Sequence, residues 1–312
     1  AGMVMVNHGG AADDLYDLRH RMLVGVATPA SDYFRDFARL VSTLKFFRKR
    51  IATVSARTAF ARAVTRGFEH ACSATVAKLH GVRIRLKYNG RIDAEDPPPR
   101  LLAALRRNRI NVLASAGGFA HDLAVVRMII GKGLNVPVLA CVAAGVHGFF
   151  EQLGDEAEGI VGPSQWEENL DITPAIGPNP DEFVRRMRAI NETKCDYPAA
   201  QAYAAGLLTM AALQAADRLD QNRLREAFSG LRTTTLFGGF AIDAATGRQI
   251  SHKMLLVQWH AGRKVVIDPE PRAEAGALEF PSGWRLLLAS FQILRLKRET
   301  EEPDEIEGDE KN

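Results

Sequence analysis

The stretch that decides the fold runs from Arg50-Ile-Ala-Thr-Val54 to Pro137-Val-Leu-Ala-Cys141, two short apolar runs that read as buried strands. Two further runs of strand character, 82–87 and 111–115, lie between them. Apolar residues at helical spacing predict helices between these strands, over 58–79, 100–107 and 121–132. Strands that alternate with helices predict repeated β-α-β units, and therefore the α/β class with a parallel sheet.

The same alternation extends toward the N-terminus. Met3–Val6 and Arg21–Val26 are candidate strands, and Asn7-His-Gly-Gly10 forms a turn after the first of them. The segment Asp32–Leu44 has apolar residues at helical spacing, with Ser31 or Asp32 in position to cap the helix. We therefore expect the α/β pattern to begin close to the first residue.

Composition indicates a globular protein of about two domains. The chain has 312 residues, of which 46% are hydrophobic and 25% are charged, and its formal net charge is +3. Its basic residues are spread along the chain, which argues against a nucleic-acid interface. No apolar run approaches the roughly 18 residues of a membrane-spanning helix, so we expect no direct membrane insertion. The three cysteines have neither metal-ligand spacing nor a disulfide pattern.

The second half of the chain resembles a known family. The segments that carry the resemblance are Glu158-Gly-Ile-Val-Gly-Pro163, Tyr203-Ala-Ala-Gly-Leu-Leu-Thr-Met210, Thr235-Leu-Phe-Gly-Gly-Phe240 and Leu256-Val-Gln-Trp-His-Ala-Gly262. Their order and spacing are similar to those of the leucine-binding family, the type I periplasmic solute-binding proteins of branched-chain amino acid ABC transporters. The resemblance extends over about 4–281. It implies two Rossmann-like lobes with parallel sheets, which hold a ligand between them and catalyse no reaction.

The family topology also implies where each lobe lies in the sequence. The first lobe would comprise 1–29 and 167–235, the second 30–166 and 236–272, and 273–312 would be a C-terminal extension with a disordered end. The chain would cross between lobes near 27–31, 164–168 and 233–240. Residues 1–6 contain no signal peptide, and the resemblance implies that an export signal and the first β-α units precede Ala1. The first lobe is then incomplete, and the full-length protein periplasmic or extracellular; the alternative is a complete cytosolic protein.

The resemblance assigns candidate ligand contacts to both lobes. They are Asn7, His8, Gly9, Gly10 and Ala11 in the first-lobe loop, and Ser55, Phe60, Ser115, Phe119 and Val142 in the second lobe. Glycine and alanine allow close approach of the backbone to a ligand, and aromatic rings supply apolar walls. A structural role stays open for several of them. Gly9-Gly10 could form an ordinary strand-to-helix turn, His8 could be a turn residue, and both phenylalanines could pack in a core.

The loop after the strand 137–141 departs from the family pattern. Amino-acid binders of this family have a carboxylate there, which pairs with the ammonium group of the ligand. This chain has Cys141-Val-Ala-Ala-Gly-Val-His147, without an acidic residue. Burying an ammonium group without a partner is costly. The sequence therefore favours a carboxylate, an amide or an uncharged molecule over a free amino acid, unless another group compensates.

The functional prediction is the substrate-binding component of an ABC importer, with a small-molecule ligand and a membrane permease as partners and with no cofactor or metal. Two other classes stay open: a ligand-sensing domain of a signalling receptor, and an α/β enzyme with an unrecognised site. The sequence contains neither a phosphate-binding Gly-x-x-x-x-Gly-Lys motif nor a Gly-x-Gly-x-x-Gly turn after a strand. Its histidines lack the spacing of a zinc site. These absences argue against the common enzyme classes.

Overall fold

The computed structural model of this protein describes residues 2–18, 20–44, 49–76, 83–190 and 195–268. The strands are β1 (Met5–Asn7), β2 (Leu23–Gly25), β3 (Arg50–Ser55), β4 (Arg83–Asn89), β5 (Val112–Ala116), β6 (Val138–Cys141), β7 (Val161–Ser164), β8 (Thr233–Thr235), β9 (Gly238–Phe240), β10 (Leu255–His260) and β11 (Arg263–Asp268). The helices are α1 (Asp14–Asp17), α2 (Arg35–Thr43), α3 (Ala59–Val76), α4 (Pro99–Arg107), α5 (Phe119–Gly131), α6 (His147–Leu153), α7 (Pro180–Ile190), α8 (Tyr197–Ala215) and α9 (Gln221–Gly230).

A seven-stranded sheet in the order β11-β10-β7-β6-β5-β3-β4 forms the framework of the described chain. The five strands from β7 to β4 are parallel to one another, and helices α3, α4, α5 and α6 separate them along the sequence. This arrangement confirms the prediction of an α/β fold with a mainly parallel sheet. The carboxyl ends of these strands therefore lie along one edge of the sheet.

The last two strands are antiparallel, which the sequence pattern did not indicate. β10 pairs with β7 on one side and with β11 on the other. The turn between β10 and β11 consists of Ala261 and Gly262, with φ of 47° and 76°. Two consecutive residues with positive φ match a two-residue hairpin turn, which reverses the chain at once. A parallel strand would need a long crossover here.

The described chain contains two hydrophobic cores beside the packed, buried rings of Phe34, Phe37 and Phe68. One packs β3, β5 and β6 against α4, α5 and α6, and it includes the buried Trp259. The other contains β2, Trp166, α7, α8, α9 and one side of β10. Trp166 and Trp259 are the largest fully buried side chains, and each indole N–H donates to a backbone carbonyl, of Leu236 and Ala144 respectively. We refer to these as the sheet core and the helical core.

The two small sheets contribute residues to the helical core or pack against it. β1 and β2 form a parallel pair, and β8 and β9 form an antiparallel hairpin. This hairpin occupies 233–240, where the third crossing between lobes was expected, and the chain enters the large sheet only at Leu255. Neither the lobe boundaries nor the crossings are decided by these pairings, so both stay predictions. The expected C-terminal extension, 273–312, lies outside the described residues.

The helix after the first predicted crossing begins later than expected. A short 3₁₀ turn occupies Ala30–Asp32, and α2 starts at Arg35 with Phe34 at its N-cap and no side-chain cap. The prediction that Ser31 or Asp32 caps this helix is wrong. Ser31 instead donates its backbone N–H and its hydroxyl to Asp13, and Asp32 pairs with Arg35. Short polar side chains bond whichever backbone or charged group is nearest, so sequence alone does not fix their partner.

Candidate functional site

The predicted second-lobe contacts lie at the carboxyl edge of the parallel sheet. Ser55 ends β3 opposite Ala116 of β5, and Ser115 lies opposite Cys141, the last residue of β6. The backbone N–H of Ala56 still donates to Ala116 (2.9 Å), so the two strands stay paired to their ends. Loops that follow adjacent parallel strands converge at such an edge, which is where ligands bind in α/β folds. Ser55, Ser115 and Val142 are therefore close neighbours.

Both predicted aromatic contacts lie in the first turn of a helix that follows one of these strands. Phe119 is the first residue of α5, and its side chain is 40% exposed. Its ring lies beside Gly148 at the start of α6, because a Cβ added to that glycine would be 3.5 Å from Cζ of Phe119. Phe60 is the second residue of α3 and is half-buried. These positions leave both rings at the sheet edge rather than deep in a core.

The N-termini of α3 and α5 differ in their capping. The Thr58 hydroxyl accepts a hydrogen bond from the Ala61 N–H (3.1 Å) and so caps α3. The N-cap of α5 is Gly118, which has no side chain to do this. A Cβ built on Gly118 would meet nothing within 4 Å, so this helix end faces open space. Unsatisfied N–H groups and the helix dipole favour an anion at such an end.

The first-lobe loop has an inner and an outer side. The Asn7 amide donates to the Gly10 carbonyl and accepts from the Gly10 N–H, both at 2.7 Å, and it also donates to the Tyr16 hydroxyl (3.3 Å). Ala11 is buried, and its carbonyl accepts from the Ala30 N–H (2.7 Å). His8 and Gly9 are exposed, and a Cβ on Gly9 would meet no atom within 4 Å. Asn7, Gly10 and Ala11 thus shape the loop, while His8 and Gly9 form its open side.

A buried carboxyl group, that of Asp122, binds the end of β5 and the turn that follows β6. Asp122, in the first turn of α5, is fully buried, and it accepts from the Ser115 hydroxyl (2.7 Å) and the Ala143 N–H (2.9 Å). Burial raises the pKa of Asp122 to about 7, although these hydrogen bonds and one from Val142 oppose the shift. The Ser115 hydroxyl therefore points inward to Asp122. Asp122 in turn fixes the 3₁₀ turn Val142–Gly145 that follows β6.

A tyrosine and a glutamine at this site were not found from the sequence. The ring of Tyr33 meets Phe60 edge to face, with centroids 5.2 Å apart. Its hydroxyl accepts from Gln165 Nε2 (2.9 Å), and Gln165 Oε1 accepts from the Thr28 N–H (2.8 Å). Burial, with the nearby Tyr197, raises the pKa of Tyr33 well above its usual value. The signal that was available is position: Tyr33 closely follows the first predicted crossing, and Gln165 lies within the second.

The structure thus assembles part of the predicted site. Ser55, Phe60, Ser115, Phe119 and Val142 belong to one edge of the large sheet, and Asn7–Ala11 follows β1 of the small sheet. That the loop and the sheet edge face a common ligand stays a prediction. Within the described ranges, no group of three or more His, Cys, Asp or Glu side chains could hold a metal ion. None of the helices described there has the length and apolar composition needed to cross a membrane.

The chain matches a known protein family and is similar to solved structures. A family model described as periplasmic binding protein matches residues 9–264. A putative branched-chain amino acid ABC transporter from Silicibacter pomeroyi has a similar structure, with a TM-score of 0.72 and 15% sequence identity over 90% of this chain and 76% of that one.

Two other similar structures were solved with ligands. A solute-binding protein of an ABC transporter from R. palustris, in complex with benzoate, has a TM-score of 0.70 and 17% identity over 89% of this chain and 73% of its own. The branched-chain amino acid binding protein LivJ from Streptococcus pneumoniae, in complex with isoleucine, has a TM-score of 0.68 and 15% identity over 90% and 73%. At these identities the likeness concerns the fold.

Proposed function

Because this chain belongs to the periplasmic binding protein family, whose members bind solutes and are not enzymes, we propose that it is the substrate-binding component of an ABC importer of the branched-chain amino acid type. Its α/β fold with a mainly parallel sheet is the type I fold of that family. A membrane permease is then its partner, and it works outside the cytoplasm. The sheet edge with Phe60 and Phe119 is the second-lobe wall of the ligand site.

The observation that carries this proposal is the pair of aromatic rings beside an uncapped helix end. Phe60 and Phe119 begin the helices that follow two adjacent parallel strands. Small-molecule pockets combine apolar walls with a few polar groups that orient the ligand. The rings supply the walls, and the free end of α5 at Gly118 supplies N–H donors. This combination suits an aromatic or aliphatic molecule that carries a carboxylate.

The absence of an acid after β6 narrows the ligand class further. The turn Val142–Gly145 has no acidic side chain, and the carboxyl of Asp122 behind it is fully buried. Asp122 already accepts from Ser115 and Ala143, so it does not compensate for a missing ammonium partner. Among similar structures, one protein holds benzoate, which has no ammonium group, and another holds isoleucine, which has one. We infer that the ligand of this chain, like benzoate, has no ammonium group.

Hinged closure of the two lobes completes the proposal. We keep the lobes as 1–29 with 167–235 and 30–166 with 236–272. The backbone N–H of Thr28 donates to the Gln165 side chain, and the Thr28 hydroxyl bonds His252 (2.5 Å). Thr28 therefore links residues of the first two crossings to the segment that precedes β10. Ligand contacts from both sides favour the closed form, which the permease recognises. The Asn7–Ala11 loop supplies the first-lobe contacts, through His8 and Gly9.

Calorimetry with a ligand panel tests this function. Benzoate and related carboxylates should bind, whereas leucine and isoleucine should not. Phe119→Ala should weaken binding by about 1–3 kcal/mol through lost apolar burial. Ile130→Ala is the matched control, because Ile130 lies near the other end of α5 and is 46% exposed. Tight binding of a free amino acid would refute the ligand class, and equal losses in both variants would refute the proposed wall.

A further inference from the structure

A buried ammonium group lies outside the candidate site. The side chain of Lys264 on β11 is 1% exposed. Its Nζ donates to the Gly145 carbonyl (3.0 Å) and contacts Asp196 Oδ1 (2.8 Å) and Glu167 Oε1 (3.0 Å). The bonds to Gly145 and Asp196 use two of the three N–H donors of the ammonium group. Glu167 Oε1 forms no hydrogen bond and is attracted by charge alone. Lys264 is therefore surrounded by oxygen atoms of the protein itself.

Asp196 connects this ammonium to a histidine. It accepts from the His147 N–H (2.8 Å) and from His147 Nδ1 (2.6 Å) in addition to Lys264. Burial opposes ionisation of Asp196, but His147 and Lys264 outweigh it and lower its pKa to about 2. For Glu167 the balance is reversed, and burial keeps its pKa raised in spite of Lys264. Asp196 is thus the permanently charged centre of the group, which we call the Lys264 cluster: Gly145, His147, Glu167, Asp196 and Lys264.

The Lys264 cluster connects the two hydrophobic cores. His147 begins α6, whose Phe149 and Leu153 belong to the sheet core, and its ring lies edge-on to Trp259 of that core. Asp196 is the N-cap of α8, whose buried alanines belong to the helical core, as does the neighbouring Cys195. With the proposed lobe boundaries, Glu167 and Asp196 are in the first lobe, and His147 and Lys264 are in the second. The two ion pairs of Lys264 and the hydrogen bonds between His147 and Asp196 therefore join one proposed lobe to the other.

We propose that the Lys264 cluster is an electrostatic clamp between the lobes, which sets their resting separation before any ligand binds. This inference rests on the proposed two-lobe hinge. Moving the lobes apart at this point would break the contacts of Lys264 with Asp196 and Glu167, and a charge that stayed buried without its partner would be unfavourable. Breaking the clamp should therefore release the lobes and populate more open arrangements. Burial of the Lys264 side chain, which is 1% exposed, distinguishes this role from solute binding.

The test measures the distance between the lobes in the ligand-free full chain. Spin labels are placed by Ala103→Cys on α4 and Asn222→Cys on α9, both exposed and in different proposed lobes. The natural cysteines are buried and stay unlabelled; they are Cys72, Cys141 and Cys195. Pulsed electron resonance then records the distance distribution of the wild type and of Asp196→Asn. The matched control is Glu182→Gln, which removes an exposed ion pair within α7.

The clamp predicts a longer and broader distance distribution in Asp196→Asn, with the open fraction increased about tenfold, and no change in Glu182→Gln. The milder Glu167→Gln keeps an oxygen acceptor for Lys264 and should show an intermediate shift; it serves as the test variant if Asp196→Asn does not fold. A folded variant whose distribution matches that of the wild type would overturn the proposal. A shift in a protein that binds no panel ligand would support the clamp and refute the proposed function. If the protein binds a panel ligand but Asp196→Asn shows no shift in the distance distribution, the proposed function is supported and the clamp is refuted.

Discussion

The buried carboxyl of Asp122 predicts an unusual dependence of stability on pH. Its pKa rises from 3.8 in the unfolded chain to about 7 in the folded one, chiefly because of burial. The unfolded state therefore loses this proton at a lower pH than the folded state does. Stability from this group is greatest below pH 4, falls as pH rises from about 4 to about 7, and is constant above that. A paired surface carboxylate has the opposite effect, because its contribution to stability is lost as the pH falls.

The magnitude follows from the two pKa values. A difference of about three pH units corresponds to about 4 kcal/mol, since each unit is worth 1.36 kcal/mol. Asp122→Asn removes the titrating group but keeps two useful hydrogen bonds: its oxygen can accept from the Ala143 N–H, and its amide can donate to the Ser115 hydroxyl. The difference in free energy of unfolding, wild type minus variant, should therefore decrease by about 4 kcal/mol between pH 3 and pH 8.

Urea denaturation at half-unit pH intervals measures this difference, and the subtraction cancels the titration of all other groups. Ser115→Ala is the informative companion, because the Ser115 hydroxyl lowers the pKa of Asp122. Without that bond the pH at which the decrease ends should move upward. Parallel stability curves for wild type and Asp122→Asn would refute the reasoning, since they would mean that Asp122 has the same pKa folded and unfolded.

Three further predictions concern stability at neutral pH, each checked by urea denaturation. Ala261→Gly should stabilise the protein by up to about 1 kcal/mol, because Ala261 has φ of 47°, a conformation that costs a residue with a Cβ about 1–2 kcal/mol; a loss of stability would contradict this. Gly262→Val should destabilise it by more than about 1 kcal/mol, since φ is 76° and a Cβ would be 3.1 Å from Phe150; unchanged stability would argue against the hairpin turn. Asp220→Ala should lower the stability measurably, because Asp220 caps α9 by accepting from the N–H groups of its second and third residues, 222 and 223. Asp217→Ala, at an exposed position, is its control and should have almost no effect.

The regular parts of the fold were predictable because they follow local periodicity. The strand expected at 50–54 is Arg50–Ser55, and the helix expected at 58–79 is Ala59–Val76 within the described residues. The antiparallel edge was not predicted, since it depends on two turn residues with positive φ. Ala261 carries no signal for that conformation, which is unusual for a residue other than glycine.

The candidate site was predictable only in outline. Phe60 and Phe119 were named because the family resemblance places aromatic contacts there and because each closely follows a strand; their contact with a ligand stays a prediction. The partner of Ser115 is Asp122, and the contact depends on how α5 returns over the end of β5. The Lys264 cluster joins positions 145, 147, 167, 196 and 264. No sequence spacing relates these positions, because their proximity arises from packing between different elements. Long-range polar contacts of this kind can be identified only from the structure.

The late return of the chain to the large sheet has a consequence for folding. β7 ends at Ser164, yet the strand that pairs with its free side, β10, begins only at Leu255. Until β10 pairs with it, one edge of β7 is open, and an open strand edge can pair with other chains. Contacts between such distant positions also form slowly, because a long loop must close first. The sheet is therefore completed late in folding, and a chaperone that covers β7 until then would favour correct assembly.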